Sequence, residues 1–312
     1  MREWRQEEGA AGRGAPDRVA IRASDLPLAA GDDPVALALI RRTEGPSYRP
    51  PGACLVLHRD GRVAGNLSSG CIDADIVHHA RAVAASGEAR RLRYGAGSPF
   101  RDLVLPCGGG LDILVLPPGA PEALARLTGA LAGRRAVEVH VSARGLALVP
   151  GPETELCLHV RPDPRFVVFG KGPEAVAFSR MTAGAGYDTW LLSPDDETLA
   201  RAAGSGARLG PLTGGEGLLD RDTAVALFFH DHEREPEILC RVLESPAFYI
   251  GAQGSRRAAE SRRARLRALG LDEAQIARVR GPIGVIPSTR DPRTLAASVL
   301  AEVLAEAVGP EG

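Results

Sequence analysis

Aromatic residues are scarce in this 312-residue chain, at 4% of the total. Proteins that stack nucleic-acid bases rely on such rings. A formal net charge of −1 supplies no basic field for a phosphate backbone or an anionic bilayer. Neither a nucleic-acid nor a membrane partner is expected. No run approaches about 18 consecutive apolar residues, so no transmembrane helix is expected either. The five cysteines are odd in number and irregularly spaced, which argues against a secreted disulfide framework. Reduced thiols in a cytoplasm fit better. Met1 to Ala15 is charged and rich in glycine and alanine, with no apolar signal core, and residues 1–25 read as a mobile tail.

What is present is enough apolar sequence, 44%, to build substantial cores. The length suggests two domains. The fold class is α/β: a β-rich α+β N-terminal domain over 26–160, then a Rossmann-like domain with a parallel sheet over 165–312. In the first part Val35, Leu37 and Leu39 alternate, and Ala53 to His58 forms a short apolar strand. Asp60-Gly61 marks a hairpin, with Val63 to Leu67 as the returning strand. After Cys71 the period becomes helical through Ile72, Ile76, Val77, Ala80 and Val83, and Ser86-Gly87 stops the helix. Leu111 to Leu116 is a buried strand, with a helix over Pro121 to Ala132 and strands over Val137 to Val141 and Leu146 to Val149. Arg161 to Pro164 is the linker. Strands and helices then alternate to the last helix, Pro292 to Val308, which implies a parallel sheet covered on both faces.

Two cysteines sit on glycine-rich corners. Cys71 closes Asn66-Leu67-Ser68-Ser69-Gly70-Cys71 at a helix start, a position that favours a thiolate, although Asp73 and Asp75 oppose it. Cys107 precedes Gly108, Gly109 and Gly110, which leave room for a bulky ligand. Neither belongs to a zinc-ligand spacing. Cys54, Cys157 and Cys240 read as structural.

In the second part Gly170-Lys171-Gly172-Pro173 follows a strand and opens a helix, the context in which backbone amides cradle phosphate. The acidic ribose partner is weak, because Ser193-Pro194 ends the second strand and Asp195 comes late. His230-Asp231-His232 follows another strand, where α/β sheets present ligand groups. Gly251 to Arg257 repeats the strand, glycine turn and helix start, with Ser255 and Arg256 able to hold an anion. Arg262, Arg263, Arg265 and Arg267 read as a solvated helix face.

Taken together, Thr43 to Gly52, Ser68 to Asp75, Leu105 to Gly109, Val168 to Gly172, His230 to His232, Ser245 to Leu269 and Gly281 to Gly284 make the chain resemble the XdhC/CoxI family, the maturation factors of xanthine and carbon monoxide dehydrogenases. The resemblance implies a cytoplasmic chaperone, rather than a catalyst, that binds molybdenum cofactor. The resemblance further implies that the cofactor is molybdopterin or its cytosine dinucleotide, and that the chaperone supports its sulfuration and delivers it to a xanthine-dehydrogenase-type molybdoenzyme. It also implies a cysteine desulfurase as partner, and the sequence allows a homodimer. The resemblance makes Cys71 and Cys107 the candidate molybdenum contacts, with Gly70, Gly108 and Gly109 beside them. It assigns the phosphate or nucleotide end to the turn at Gly170 and Gly172; His230, Gly251, Ser255 and Arg256 complete the candidate cofactor-binding set. Ser68-Ser69, Pro173, Ser193-Pro194 and Ile286 to Thr289 depart from the family pattern. The alternative is an NAD(P)-dependent oxidoreductase using the Rossmann-like domain.

Overall fold

The computed structural model describes residues 16–95, 98, 108–215, 217–229 and 234–308. The chain divides into two compact units, Met1–Pro162 and Asp163–Gly312. Among the described residues no helix is long and apolar enough to cross a membrane.

The first unit runs β1 (Asp17–Arg22), β2 (Pro34–Glu44), β3 (Cys54–His58), β4 (Val63–Ala64), α1 (Asp73–Ser86), β5 (Arg90–Gly95), β6 (Gly110–Leu116), α2 (Pro121–Ala132), β7 (Val137–Ser142), β8 (Gly145–Ala147) and β9 (Leu156–Arg161). An antiparallel five-stranded sheet has the order β4-β3-β2-β6-β5, and a four-stranded sheet has the order β1-β9-β7-β8. The apolar run in β2 is continuous because both its faces are buried. Ala36, Ala38 and Ile40 point to α1, meeting Ile76, Ala80 and Val83. Leu37 and Leu39 point to the second sheet, meeting Val139, Val141, Leu156 and Leu158. The layers are therefore helix, five-stranded sheet, four-stranded sheet. Gly87, at φ 72°, ends α1 in the left-handed conformation expected of Ser86-Gly87.

The second unit runs β10 (Arg165–Gly170), α3 (Pro173–Gly184), β11 (Asp188–Leu192), α4 (Asp196–Ala202), β12 (Arg208–Gly210), β13 (Thr223–Phe228), α5 (Glu235–Leu243), β14 (Tyr249–Ala252), α6 (Arg256–Ala268), α7 (Glu273–Ala277), β15 (Val279–Arg280) and α8 (Pro292–Val308). Its parallel sheet has the order β12-β11-β10-β13-β14-β15. Within this unit that is the 3-2-1-4-5-6 order of the doubly wound dinucleotide fold. Alternate residues of β10 serve opposite cores. Phe166 and Val168 pack with Phe178 of α3 and Val299 of α8. Val167 and Phe169 pack with Leu239 of α5 and Leu266 of α6.

Three expectations need correction. The N-terminal tail ends earlier than residue 25: Asp17–Arg22 pairs in parallel with β9. Ile21 packs into the inter-sheet core, in space that Gly52 leaves by lacking a side chain; a Cβ there would lie 2.5 Å from Ile21 Cγ2. The returning strand after Asp60-Gly61 stops at Ala64, because Gly65 turns away at φ 77°. Arg262 is not solvated. It is buried against Glu235, with Nε–Oε2 at 2.9 Å and Nη2–Oε1 at 3.2 Å, and Nη2 also donates to the Gln253 carbonyl at 2.7 Å.

Removing one partner of a buried, bidentate pair strands the other charge. Glu235→Ala should lower unfolding free energy by about 3–5 kcal/mol in urea titrations, and the double change Glu235→Leu, Arg262→Met should recover most of that. A loss within about 1 kcal/mol for the single change would contradict this reading of the pair.

Candidate functional site

Strand register brings the first unit's candidate residues to one end of the five-stranded sheet. Glu44, the last residue of β2, lies opposite Gly110, the first of β6. Gly95, the last of β5, also lies opposite Gly110. β4 runs antiparallel to β3, with Ala64 opposite Val56, so the chain after β4 leaves at this same end. The Cys71 loop, the Thr43 to Gly52 segment and the Gly108-Gly109 corner therefore gather there, above the start of α1.

The Cys71 loop is held from within. The Asp73 carboxylate accepts from the amides of Leu67 at 3.3 Å and Ser68 at 3.1 Å, and from the Ser68 hydroxyl at 3.0 Å. Ser68 Oγ accepts in turn from the amides of Gly70 at 3.0 Å and Ile72 at 3.4 Å. Leu67, Ser68 and Ile72 are buried beneath this network, while Gly70 and Cys71 stand exposed above it. Asp75 accepts from the Tyr94 hydroxyl at 2.6 Å, which fastens the first turn of α1 to β5 one residue from Gly95. Burial, then the Asp75 hydrogen bond, pushes the Tyr94 hydroxyl above its ordinary range and keeps it a donor. The two acids are thus scaffold for the loop, and not only charges opposing a thiolate. By contrast Cys54 is sealed in the inter-sheet core, and burial pushes its thiol up to about 12.

The glycines divide into two kinds. Gly70 (φ 104°) and Gly108 (φ 71°) are exposed, adopt the left-handed region and face open space. Gly109 is buried, and a Cβ there would strike the Pro46 carbonyl oxygen and come within 2.9 Å of the Glu44 carbonyl. Its lack of a side chain serves the approach of two backbone segments. Cys107 lies outside the described residues.

In the second unit Gly170 ends β10 and Gly172 follows it, at the crevice where strand order reverses, the place doubly wound sheets bind ligands. Gly170 is packed under Phe228, whose carbonyl oxygen would lie 2.5 Å from an added Cβ. Gly172 (φ 87°) opens on space, with only Glu174 Oε2 within reach at 3.7 Å. The turn's amides are already used, however: Lys171 donates to the Phe228 carbonyl at 3.1 Å and Gly172 to Thr198 Oγ1 at 2.9 Å. Asp195 caps α4 through the Thr198 amide. Hydrogen bonds from the Thr198 hydroxyl and amide, and the nearby Lys171 charge, hold its carboxyl below the ordinary range. Gly251 is a packing residue as well, since a Cβ would meet the Tyr249 ring at 2.6 Å and Ile283 at 2.7 Å. Ser255 spends its hydroxyl capping α6 through the Ala258 amide, and Arg256 is exposed at the first position of that helix. His230 lies outside the described residues.

Comparison with known proteins fits these two halves. Residues 28–95 match the family model described as the XdhC and CoxI family, and residues 166–303 match the XdhC Rossmann domain. Over 294 residues the chain is 33% identical to the molybdenum cofactor insertion chaperone PaoD of Escherichia coli K12, covering 92% of this chain and 87% of PaoD. The chain belongs to the XdhC and CoxI family. A second relative, the uncharacterized protein YqeB of Escherichia coli K12, is 24% identical over 87% of this chain and 43% of its own length. A solved structure described as a xanthine dehydrogenase from Bacillus halodurans shares the fold, with a TM-score of 0.71, 22% identity, and coverage of 90% of this chain and 93% of that one.

In this XdhC and CoxI family member the sequence reading missed the residues that position Cys71. Asp73, five residues after Ser68, has the spacing of a carboxylate folding back on a loop ahead of a helix, which was the available signal. Asp73→Ala should speed amide hydrogen exchange at Leu67, Ser68, Gly70 and Ile72. It should also cost about 1.5–3 kcal/mol of stability, the range for hydrogen bonds to a charged acceptor. Exchange unchanged at those four amides would show that the network does not hold the loop.

Proposed function

We propose that this protein carries molybdenum cofactor as cargo for a molybdoenzyme, with the exposed Cys71 thiol as a contact to the metal end. The observation that carries the reading is the exposed thiol itself, set on a loop braced by Asp73 beside the open glycine Gly70, with Gly108 open at the same end of the sheet. A soft thiolate suits molybdenum and its sulfur ligands. Bare glycine backbone allows a bulky planar ligand to approach closely. Membership of the family and likeness to a chaperone of molybdenum cofactor insertion support the same reading.

The finer parts belong to the proposal too. The recipient is a xanthine-dehydrogenase-type enzyme, a cysteine desulfurase supplies the sulfur, and Cys107 is a second thiol contact. Within the second unit, the crevice at Gly172 is the candidate place for a phosphate or nucleotide group, where space is open although the two turn amides are spent. The strand order also favours an NAD(P)-dependent oxidoreductase as an alternative. Against it, Asp195 is occupied as a helix cap where a ribose-binding acid would be needed.

Full-length protein isolated from cells that make molybdenum cofactor should carry it, read by native mass spectrometry and molybdenum content. Cys71→Ala should lower that loading several-fold while leaving the fold intact by circular dichroism. Equal loading of the wild type and a Cys71→Ala, Cys107→Ala double variant would remove the thiol contact. Reduced nicotinamide bound in place of the cofactor would favour the alternative.

A further inference from the structure

We propose that Glu138, His140 and Cys157 form a binding site for a zinc-class divalent metal on the outer face of the four-stranded sheet. The strands dictate the juxtaposition. In β7, Val139 and Val141 enter the inter-sheet core, so Glu138 and His140 point to the other face. In β9, Leu156, Leu158 and Val160 enter the core, so Cys157 points outward with them. Antiparallel register then sets His140 directly opposite Cys157, with Glu138 two residues along the same strand. One ligand atom from each of the three lies within 4.8 Å of the others.

The donor set is a thiol, an imidazole and a carboxylate, the three side-chain types zinc takes. A tetrahedral zinc ion with bonds of about 2.0–2.3 Å holds its ligands roughly 3.3–3.8 Å apart. Closing the difference takes a shift of about 1 Å, which the half-exposed Glu138 side chain can supply by rotation. His140 and Cys157 need no such freedom, because neighbouring strands hold them.

A second observation points to a missing ligand. His140 is 8% exposed, and its Nδ1 is buried without a hydrogen-bond partner. Such a group ordinarily finds a partner. His140, alone of the three, also lines a cavity of about 630 Å³ with Glu122, Arg126, Arg144 and Glu153. Binding exchanges a proton for a metal: the S–H bond of Cys157 breaks, sulfur bonds the ion, and the proton passes to solvent. Arg18, opposite Cys157 on β1, contacts Glu138 at 3.6 Å, but Arg18 is largely and Glu138 half exposed, and so exposed a pair yields readily. With three protein donors the fourth position stays open, as in zinc sites that admit water or a further ligand.

The test uses the full chain freed of metal by chelator dialysis and titrated with Co2+ alone, then with Zn2+. One equivalent of cobalt should give a thiolate-to-cobalt charge-transfer band that zinc abolishes. Cys157→Ser should eliminate the band. His140→Gln and the exposed, fold-neutral Glu138→Gln should each weaken binding about tenfold or more, while Cys71→Ser should leave it intact. Absence of the band in the wild type, together with no stoichiometric zinc in chelator competition, would overturn the proposal. So would a band undiminished in both Cys157→Ser and Glu138→Gln. None of these readouts depends on the molybdenum reading, so either proposal can fail alone.

Discussion

The short network at the first turn of α1 fixes where the exposed thiol stands. Asp73 gathers the amides and hydroxyl of the preceding loop, and Asp75 takes the Tyr94 hydroxyl from the neighbouring sheet. Two carboxylates at a helix start also suit its positive end. Without this bracing Cys71 would sit on an eight-residue connection between Ala64 and Asp73 with little to define its position. With it, the thiol is presented at the end of the sheet where Gly70 and Gly108 leave the backbone bare. The account of function depends on that placement, since contact with a bulky metal-bearing ligand demands exposure and fixed geometry together.

The second unit follows a different logic. Its strand order provides the crevice typical of nucleotide-binding sheets, yet the glycine turn there is tied into the protein through Thr198 and Phe228. Glu174 and Asp195 add negative charge beside it. A turn built to cradle pyrophosphate keeps its amides free and its surroundings neutral or basic. The unit thus keeps the architecture of a dinucleotide fold, with open space at Gly172 but with two turn amides bonded inside the protein. Fold alone does not assign function here.

Much of the architecture was legible because local pattern and burial agree. β10, β13 and β14 are short apolar runs bounded by turns, and α2, α3 and α8 begin at prolines suited to a first turn. The α/β class and the Rossmann-like parallel sheet followed from that alternation. β1 escaped notice because it is an edge strand with a single well-buried residue, Ile21. β5 escaped because its sequence is arginine-rich. Only Leu92 and Tyr94 face the core, while Arg93 pairs with Glu44 and Asp112. At the candidate site the cysteine and glycines were visible, but their supports were not. Whether a glycine serves a ligand or a neighbouring chain depends on contacts distant in sequence. Gly109 against Pro46 and Gly251 against Tyr249 and Ile283 show the second use. Arg262 looked solvated for the same reason: its partner Glu235 lies 27 positions away.

The central claim is that Cys71 touches the cargo, and the most direct measurement is chemical footprinting of that thiol. The full-length protein would be alkylated with an isotope-coded reagent, with and without saturating molybdenum cofactor, and the rate read at Cys71 by mass spectrometry. The account predicts rapid modification of the free protein and strong protection when cofactor is bound, with buried Cys54 unreactive in both. Equal rates at Cys71 in the two conditions would contradict it.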